Sequence, residues 1–137
     1  MRTGDGRQGT KDGRRRTEDR TKYKFQRLEV YKLALEYVDT VYNLSRELPK
    51  EERFNLRSQV EQAATSIVLN IAEGSTGQSD TEQRRFLGLA LRSYLETVAF
   101  WDLMVRHKYL SNEDLTKVRE IGHRVFMKLQ ALRRSLE

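Results

Sequence analysis

Apolar residues recur at every third or fourth position through most of the chain, a spacing typical of amphipathic helices that pack side by side. The first such segment covers residues 26–47 and continues its seam to Leu48. Its apolar positions are Val30, Ala34, Tyr37, Val41, Leu44 and Leu48. Pro49 follows and ends the helix, because the residue before a proline is pushed out of the helical region of backbone space.

The same pattern predicts a second helix over residues 55–73 and a third over residues 80–107. Gly74 follows the second helix, where a glycine commonly caps a helix in a left-handed conformation. The third helix begins with a predicted capping box, in which Ser79 accepts from the amide of Glu82 and the Glu82 side chain reaches back.

A fourth helix is predicted to begin at a second cap, in residues 111–114, with Leu110 and Leu115 forming a hydrophobic staple. Gly122 interrupts its apolar seam, which predicts a close approach of another helix at that point. Because short loops join the four helices, we expect an all-α fold, an antiparallel up-down four-helix bundle.

The third helix carries two adjacent apolar seams. The first seam contains Leu87, Leu91, Tyr94, Val98, Trp101 and Val105, and the second contains Phe86, Ala90, Ser93, Thr97, Phe100 and Met104. This surface exceeds what one stripe of a monomeric bundle needs, which indicates burial against another subunit and hence a homo-oligomer. A central helix that touches all the others would account for the same pattern.

Most of the net positive charge of the chain lies in its N-terminal residues. Residues 1–24 contain nine basic and four acidic side chains, whereas residues 25–137 contain 17 and 16. Residues 1–22 also lack large apolar side chains after Met1, so we predict a disordered basic tail at residues 1–23 before a bundle at residues 24–137. Candidate phosphate-binding residues in the tail are Arg14, Arg15, Arg16 and Arg20. A solubilising tail or a misassigned start codon would explain the same composition.

The bundle offers three further candidate nucleic-acid-binding residues, Arg57, Arg84 and Arg85. Acidic residues are interleaved with them, so a mixed, solvated surface is an equally good interpretation. Because the part of the chain after the tail is close to neutral, its overall charge alone gives little support for a basic face.

Little in the sequence indicates catalysis. The chain has no cysteine, no phosphate-binding glycine loop and no nucleophile elbow, and a single Glu-x-x-His pair, Glu120 and His123, is too little for a di-iron site. We expect no enzyme activity, no cofactor and no metal site. The absence of a long uncharged apolar segment predicts no contact with a membrane, and the composition fits the cytoplasm.

Several segments together resemble a known family. The most specific is the run Ser-Ile-x-x-Asn-Ile-Ala-Glu-Gly at residues 66–74. Supporting segments lie at residues 25–31, 48–59, 79–96 and 109–111. The chain resembles the bacterial four-helix-bundle proteins encoded in intervening sequences of large-subunit ribosomal RNA genes, and the resemblance covers residues 24–137.

The resemblance implies a homo-oligomer, typically a ring of five subunits. Related bundles are accessory proteins of diversity-generating retroelements and bind a reverse transcriptase and nucleic acid, RNA or DNA. Here Glu61 and Gln62 stand where the family often has a basic pair, which weakens that face for nucleic acid. The sequence therefore predicts a non-catalytic oligomeric adaptor for nucleic acid or for a protein that handles it. The alternative is a protein–protein scaffold with no nucleic-acid role.

Overall fold

A computed structural model describes residues 23–77 and 79–137. Each helix packs against its neighbours in sequence, and the fourth returns to pack against the first, so the four helices enclose one core. This arrangement confirms the predicted all-α four-helix bundle. The helices are α1 (Glu29–Ser45), α2 (Leu56–Gly74), α3 (Asp80–Arg106) and α4 (Thr116–Ser135).

The first helix begins three residues later than the apolar pattern predicts. Leu28 has an extended backbone (φ −67°, ψ 131°), so α1 begins at Glu29 and a short 3-10 helix, Lys24–Arg27, precedes it. Leu28 is nevertheless packed against the core, which explains why the periodicity continues past the end of the helix. A second 3-10 helix, Lys50–Glu52, follows Pro49 in the loop between α1 and α2.

The two glycines that the sequence singles out both permit close packing. The predicted left-handed conformation of Gly74 is wrong: Gly74 is the last residue of α2, and among the described glycines Gly77 has the positive φ, 93°. A Cβ atom at Gly74 would lie 2.6 Å from the Cβ of Phe86, so this glycine lets α2 approach α3. The predicted close approach at Gly122 is confirmed, because a Cβ there would lie 2.8 Å from Tyr37 Cε1.

The predicted helix caps form only in part: the return bond of Glu82 is absent, and α4 begins at Thr116, later than its predicted cap. Ser79 Oγ accepts a hydrogen bond from the Glu82 amide at 3.2 Å, but the Glu82 carboxylate accepts from Arg85. Reciprocal bonds close the turn before α4: Ser111 Oγ accepts from the Asp114 amide at 3.1 Å, and the Ser111 amide donates to Asp114 Oδ2 at 2.9 Å. These bonds satisfy amides that have no partner within the helix.

Both seams of α3 contribute to the core of a single chain. Leu87, Trp101 and Met104 are essentially inaccessible to solvent, because α3 packs against α2 on one side and α4 on the other. A central helix therefore accounts for most of the apolar surface. The remainder stays exposed, with Leu95 at 51% and Leu103 at 42% of full exposure.

A polar network crosses the core between α1 and α3. Tyr37 Oη accepts a hydrogen bond from Trp101 Nε1 at 3.2 Å and lies 2.7 Å from Thr97 Oγ1. Because Thr97 Oγ1 donates to the carbonyl of Tyr94 at 2.6 Å, the Tyr37 hydroxyl is the donor to Thr97. Burial raises the pKa of Tyr37 to about 12, so the hydroxyl keeps its proton at neutral pH.

Candidate nucleic-acid interface

Arg57, the first bundle candidate, is neutralised by its own helix. Its Nε atom lies 3.2 Å from Glu61 Oε2, four residues along α2. The same carboxylate oxygen accepts from the Ser45 hydroxyl at 2.6 Å. Most of the positive charge of Arg57 is therefore balanced locally, which leaves little attraction for a phosphate.

Arg84, the second candidate, ties α3 to the end of α4. Its Nη1 atom donates to the carbonyl of Leu136 at 3.1 Å, while Nε of Arg133 lies 3.4 Å from the carbonyl of Arg84. These two contacts join the helices in both directions. Because cations also interact well with the carbonyl end of a helix, the position of Arg84 is explained by packing alone.

Arg85, the third candidate, is more exposed but also has partners. It lies 3.3 Å from Glu82 Oε1, and its guanidinium stacks 4.5 Å from the centre of the Phe86 ring. Arg84 and Arg85 lie near the end of the bundle where α3 begins. Arg57 lies near the opposite end, roughly 25 Å away along α2, so the structure does not bring the three together.

The four tail candidates, Arg14, Arg15, Arg16 and Arg20, lie outside the described residues. Their role as phosphate contacts stays a prediction. The predicted boundary between a tail and the bundle at residue 23 likewise stays a prediction.

Charge is distributed unevenly among the four helices. Helix α4 contains six basic residues and one acidic residue, a balance of +5. The net charge is −2 for α1, −1 for α2 and zero for α3, so these three helices together have a net charge of −3. The near-neutral total of the bundle therefore conceals one strongly basic helix. The sequence could have revealed it if charges had been counted helix by helix.

All six basic side chains of α4 are exposed. They are Lys117, Arg119, Arg124, Lys128, Arg133 and Arg134. Lys128 forms an ion pair with Glu29 at 3.0 Å, and Arg119 donates to Asn112 at 2.9 Å. Within residues 23–77 and 79–137, no carboxylate lies within 4.0 Å of the side-chain nitrogens of Lys117, Arg124 or Arg134.

The outward surface of α4 also carries Glu120 and His123, the pair with the spacing of a di-iron ligand motif. Both side chains are exposed and point away from the bundle core. In the described part of the chain, no group of three histidine or acidic side chains is placed to hold a metal ion. Nor does any described helix have the length and apolar character needed to cross a membrane.

Comparison with known proteins identifies a protein family and a related solved structure. A crystal structure at 1.70 Å resolution of a protein of unknown function from Bacteroides thetaiotaomicron VPI-5482, described as from the S23 ribosomal protein family, superposes with a TM-score of 0.70. The two are 25% identical, and the match covers 77% of this chain and 95% of that one. No functionally curated protein matches significantly.

The profile of a single protein family matches residues 26–131, which include all of α1, α2 and α3 and most of α4. The match contains the run at residues 66–74 and both glycines at which helices approach closely. The chain belongs to the family of 23S rRNA-intervening sequence proteins.

Proposed function

We propose that this protein is a non-catalytic, homo-oligomeric adaptor that binds nucleic acid or a protein that handles nucleic acid. The observation that carries the proposal is the charge of α4, +5 on one exposed helix in a bundle whose other helices sum to −3. Lysine and arginine bind phosphates and release condensed counterions, so such a surface attracts nucleic acid with little regard to its sequence.

Self-association is supported by large apolar side chains that the single chain leaves exposed. Besides Leu95 and Leu103 on α3, they include Leu35, Phe54 and Leu69. Phe54 has 85% of its surface exposed, which is unusual for a residue of its size. A ring of five subunits, as the family resemblance implies, would also multiply modest phosphate contacts through avidity.

The same resemblance motivates a narrower role as an accessory factor for the reverse transcriptase of a diversity-generating retroelement. Such a factor would have to hold an enzyme and its nucleic acid together. The basic helix and the exposed apolar residues give the chain two chemically distinct surfaces, which fits that requirement.

Light scattering on the full chain, alone and with a structured RNA at about 0.15 M salt, tests the proposal. We expect a mass of about five times the 16.2 kDa of one chain, increasing when RNA is added. A monomer would contradict the assembly. An oligomer whose mass is unchanged by RNA, also at low salt, would contradict nucleic-acid binding.

The contribution of the tail is measured in the full chain by replacing Arg14, Arg15, Arg16 and Arg20 with alanine. If the tail contacts phosphates, RNA affinity should fall and depend less steeply on salt concentration. Unchanged binding would assign the tail a different role, such as keeping the protein in solution.

A scaffold that binds only protein is the second candidate. An open groove of about 460 Å³ between α1 and α2 favours it. The groove contains Tyr42 and Thr65, and at its edge Leu69 keeps 60% of its surface exposed. Tyrosine is enriched in protein-binding surfaces, and an exposed leucine adds apolar surface for a partner to cover. An oligomer that ignores RNA would favour this function.

A further inference from the structure

We propose that the outward face of α4 binds the sugar–phosphate backbone of double-helical RNA, with Lys117, Arg124 and Arg134 as its principal contacts. The inference rests on the proposed function and specifies which surface and which form of nucleic acid are involved. No carboxylate in the described part of the chain lies within ion-pair distance of these three side chains, so none of them is held in an ion pair. Glu29 of α1 interacts electrostatically with Arg124 from a longer distance.

The spacing of the three residues suits an extended ligand. Lys117 and Arg134 are 17 positions apart on a continuous helix, a distance of roughly 25 Å. Arg124 lies between them. Phosphates follow one another at about 3.4 Å along the axis of each duplex strand, so several phosphates lie within reach of this row.

The face lacks the groups that bind unpaired bases. The only aromatic residue of α4, Phe126, is half-buried and packs against Tyr94, with their ring centres 5.6 Å apart. His123 is the one exposed ring on the helix. Proteins that hold single strands stack successive bases on several aromatic side chains, so this face is better suited to a backbone than to bases.

The setting of α4 in the bundle suits contact with a wide, shallow groove. Val118, Val125 and Leu129 are buried, with 0–1% exposure, so only the outer side of the helix is accessible. The minor groove of B-form DNA is only about 6 Å wide and does not accommodate the side of a helix, whereas its major groove does. The wide, shallow minor groove of A-form RNA, bordered by phosphates, can meet such a surface without insertion.

The neighbouring helix limits where the duplex can lie. Glu36 and Asp39 are exposed on α1, which has a balance of −2 and packs beside α4. At the border, Lys128 is held by Glu29 at 3.0 Å. Repulsion between the α1 carboxylates and phosphates keeps the backbone over α4.

The test compares two triple variants of the full chain. The first, Lys117→Ala/Arg124→Ala/Arg134→Ala, removes the proposed contacts. The second, Arg27→Ala/Arg46→Ala/Lys50→Ala, removes the same charge from exposed positions before α1, at its end and in the loop that follows it. The probes are an RNA duplex of about 20 base pairs, longer than the roughly 30 Å of α4, a DNA duplex of the same sequence, and one RNA strand alone.

We expect the α4 variant to lose about tenfold or more in affinity for the RNA duplex at about 0.1 M salt, and its log–log salt slope to become shallower by about two to three. The control variant should lose much less. Because all six positions are exposed, both variants should keep the helical circular dichroism and melting temperature of the wild type, which shows that any loss of binding is not unfolding.

Other outcomes separate this inference from the proposed function. If the wild type binds RNA but the two variants lose affinity equally, the assignment to α4 is overturned while nucleic-acid binding stands. Equal or tighter binding of the DNA duplex or the single strand would overturn the choice of double-helical RNA. If the wild type binds none of the probes even at low salt, the proposed function itself fails.

Discussion

The inward and outward sides of α4 differ in packing and in charge. On the inward side, Leu129 is fully buried and Gly122 leaves just enough room for the rings of Tyr37 and Tyr94. On the outward side, Lys117 and Arg124 extend into solvent with no carboxylate within ion-pair distance in the described part of the chain. One helix thus combines closely fitted packing on its inward side with exposed basic side chains on its outward side.

This difference indicates that stability and binding depend on separate residues. Packing in a close-fitted core is sensitive to the loss or gain of single methylene groups, whereas exposed positions tolerate substitution. Lys128 and Arg133 contact neighbouring helices, but Lys117, Arg124 and Arg134 are exposed and form no ion pair in the described part of the chain, so packing does not explain these three charges. The comparison can be tested by matched substitutions on the two sides.

The largest expected difference in stability is between substitutions at two residues of α4 that are two positions apart. Leu129 is fully buried and Met127 has 49% of its surface exposed. Leu129→Ala should lower the free energy of unfolding by about 2–5 kcal/mol, because it removes buried apolar atoms and leaves a cavity. Met127→Ala should change it by less than about 0.5 kcal/mol.

Urea denaturation of both variants measures these free energies. Similar losses for the two would mean that the outward side of α4 is also buried, for example between subunits. That outcome would contradict the assignment of this side to a solvent-exposed binding surface.

A second matched pair tests the polar network in the core. Tyr37→Phe removes the acceptor of the Trp101 N–H and the donor to Thr97, and should cost about 1–3 kcal/mol because buried polar groups lose their partners. Tyr94 packs beside Tyr37, with ring centres 5.7 Å apart. In the described part of the chain its hydroxyl has no hydrogen bond, so Tyr94→Phe should be nearly neutral.

Thermal and denaturant unfolding of the two variants provide the comparison. If both substitutions cost the same, the loss would reflect the ring environment and not the hydrogen bonds. If neither has an effect, the network would be irrelevant to stability.

Much of this fold could be predicted because helix periodicity is a local property. The 4–3 spacing of apolar residues predicts four helices, and Gly122 within a seam predicts a close approach. Gly74 could not be assigned in the same way. A glycine at a helix end is compatible with a left-handed cap or with close packing, and only the position of Phe86, 12 residues away, decides between them.

The candidate site was harder to predict because a basic side chain is available to a ligand only if no other group of the protein binds it. The partner of Arg57, Glu61, is one helical turn away and could have been recognised from the sequence. The partner of Arg84, the carbonyl of Leu136, is 52 residues away and could not. The charge of α4 could be read from the sequence once its bounds were known.

A third pair of substitutions, at two glycines, should change the free energy of unfolding in opposite directions. A Cβ at Gly122 would lie 2.8 Å from Tyr37 Cε1 and 2.9 Å from Tyr94 Cε1, both on buried rings. Gly122→Ala should therefore destabilise by roughly 1–2 kcal/mol, since overpacking outweighs the gain in helix propensity. At Gly88 the nearest atom is the flexible Arg133 guanidinium at 3.4 Å, an ordinary contact.

Gly88→Ala should accordingly stabilise the protein by about 0.5–1 kcal/mol, because alanine favours the helix and restricts the unfolded chain. Melting temperatures of the two variants are sufficient to check the signs. Stabilisation by Gly122→Ala would show that the core has room to relax, contrary to a closely fitted inner side.

The smallest expected effect is at a surface hydrogen bond between two loops. Tyr109 Oη donates to Glu52 Oε2 at 2.9 Å. This bond is the main reason that the pKa of Glu52 is lowered, and it also raises the pKa of Tyr109. Because the folded pKa of Glu52 is depressed, the contact stabilises above the ordinary carboxyl pKa and its contribution is lost as pH falls.

The raised pKa of Tyr109 acts in the opposite direction, so its contribution is present below the ordinary tyrosine pKa and is lost as pH rises through the raised value. Tyr109→Phe should therefore lower the melting temperature slightly between about pH 5 and 9, and the difference from wild type should shrink as pH falls below the ordinary carboxyl pKa. Tyr37→Phe, whose partners do not titrate in this range, should have the same effect at pH 5 and pH 8. A difference for Tyr109→Phe that persists at low pH would mean that the ring packing of Tyr109, and not its bond to Glu52, connects the two loops.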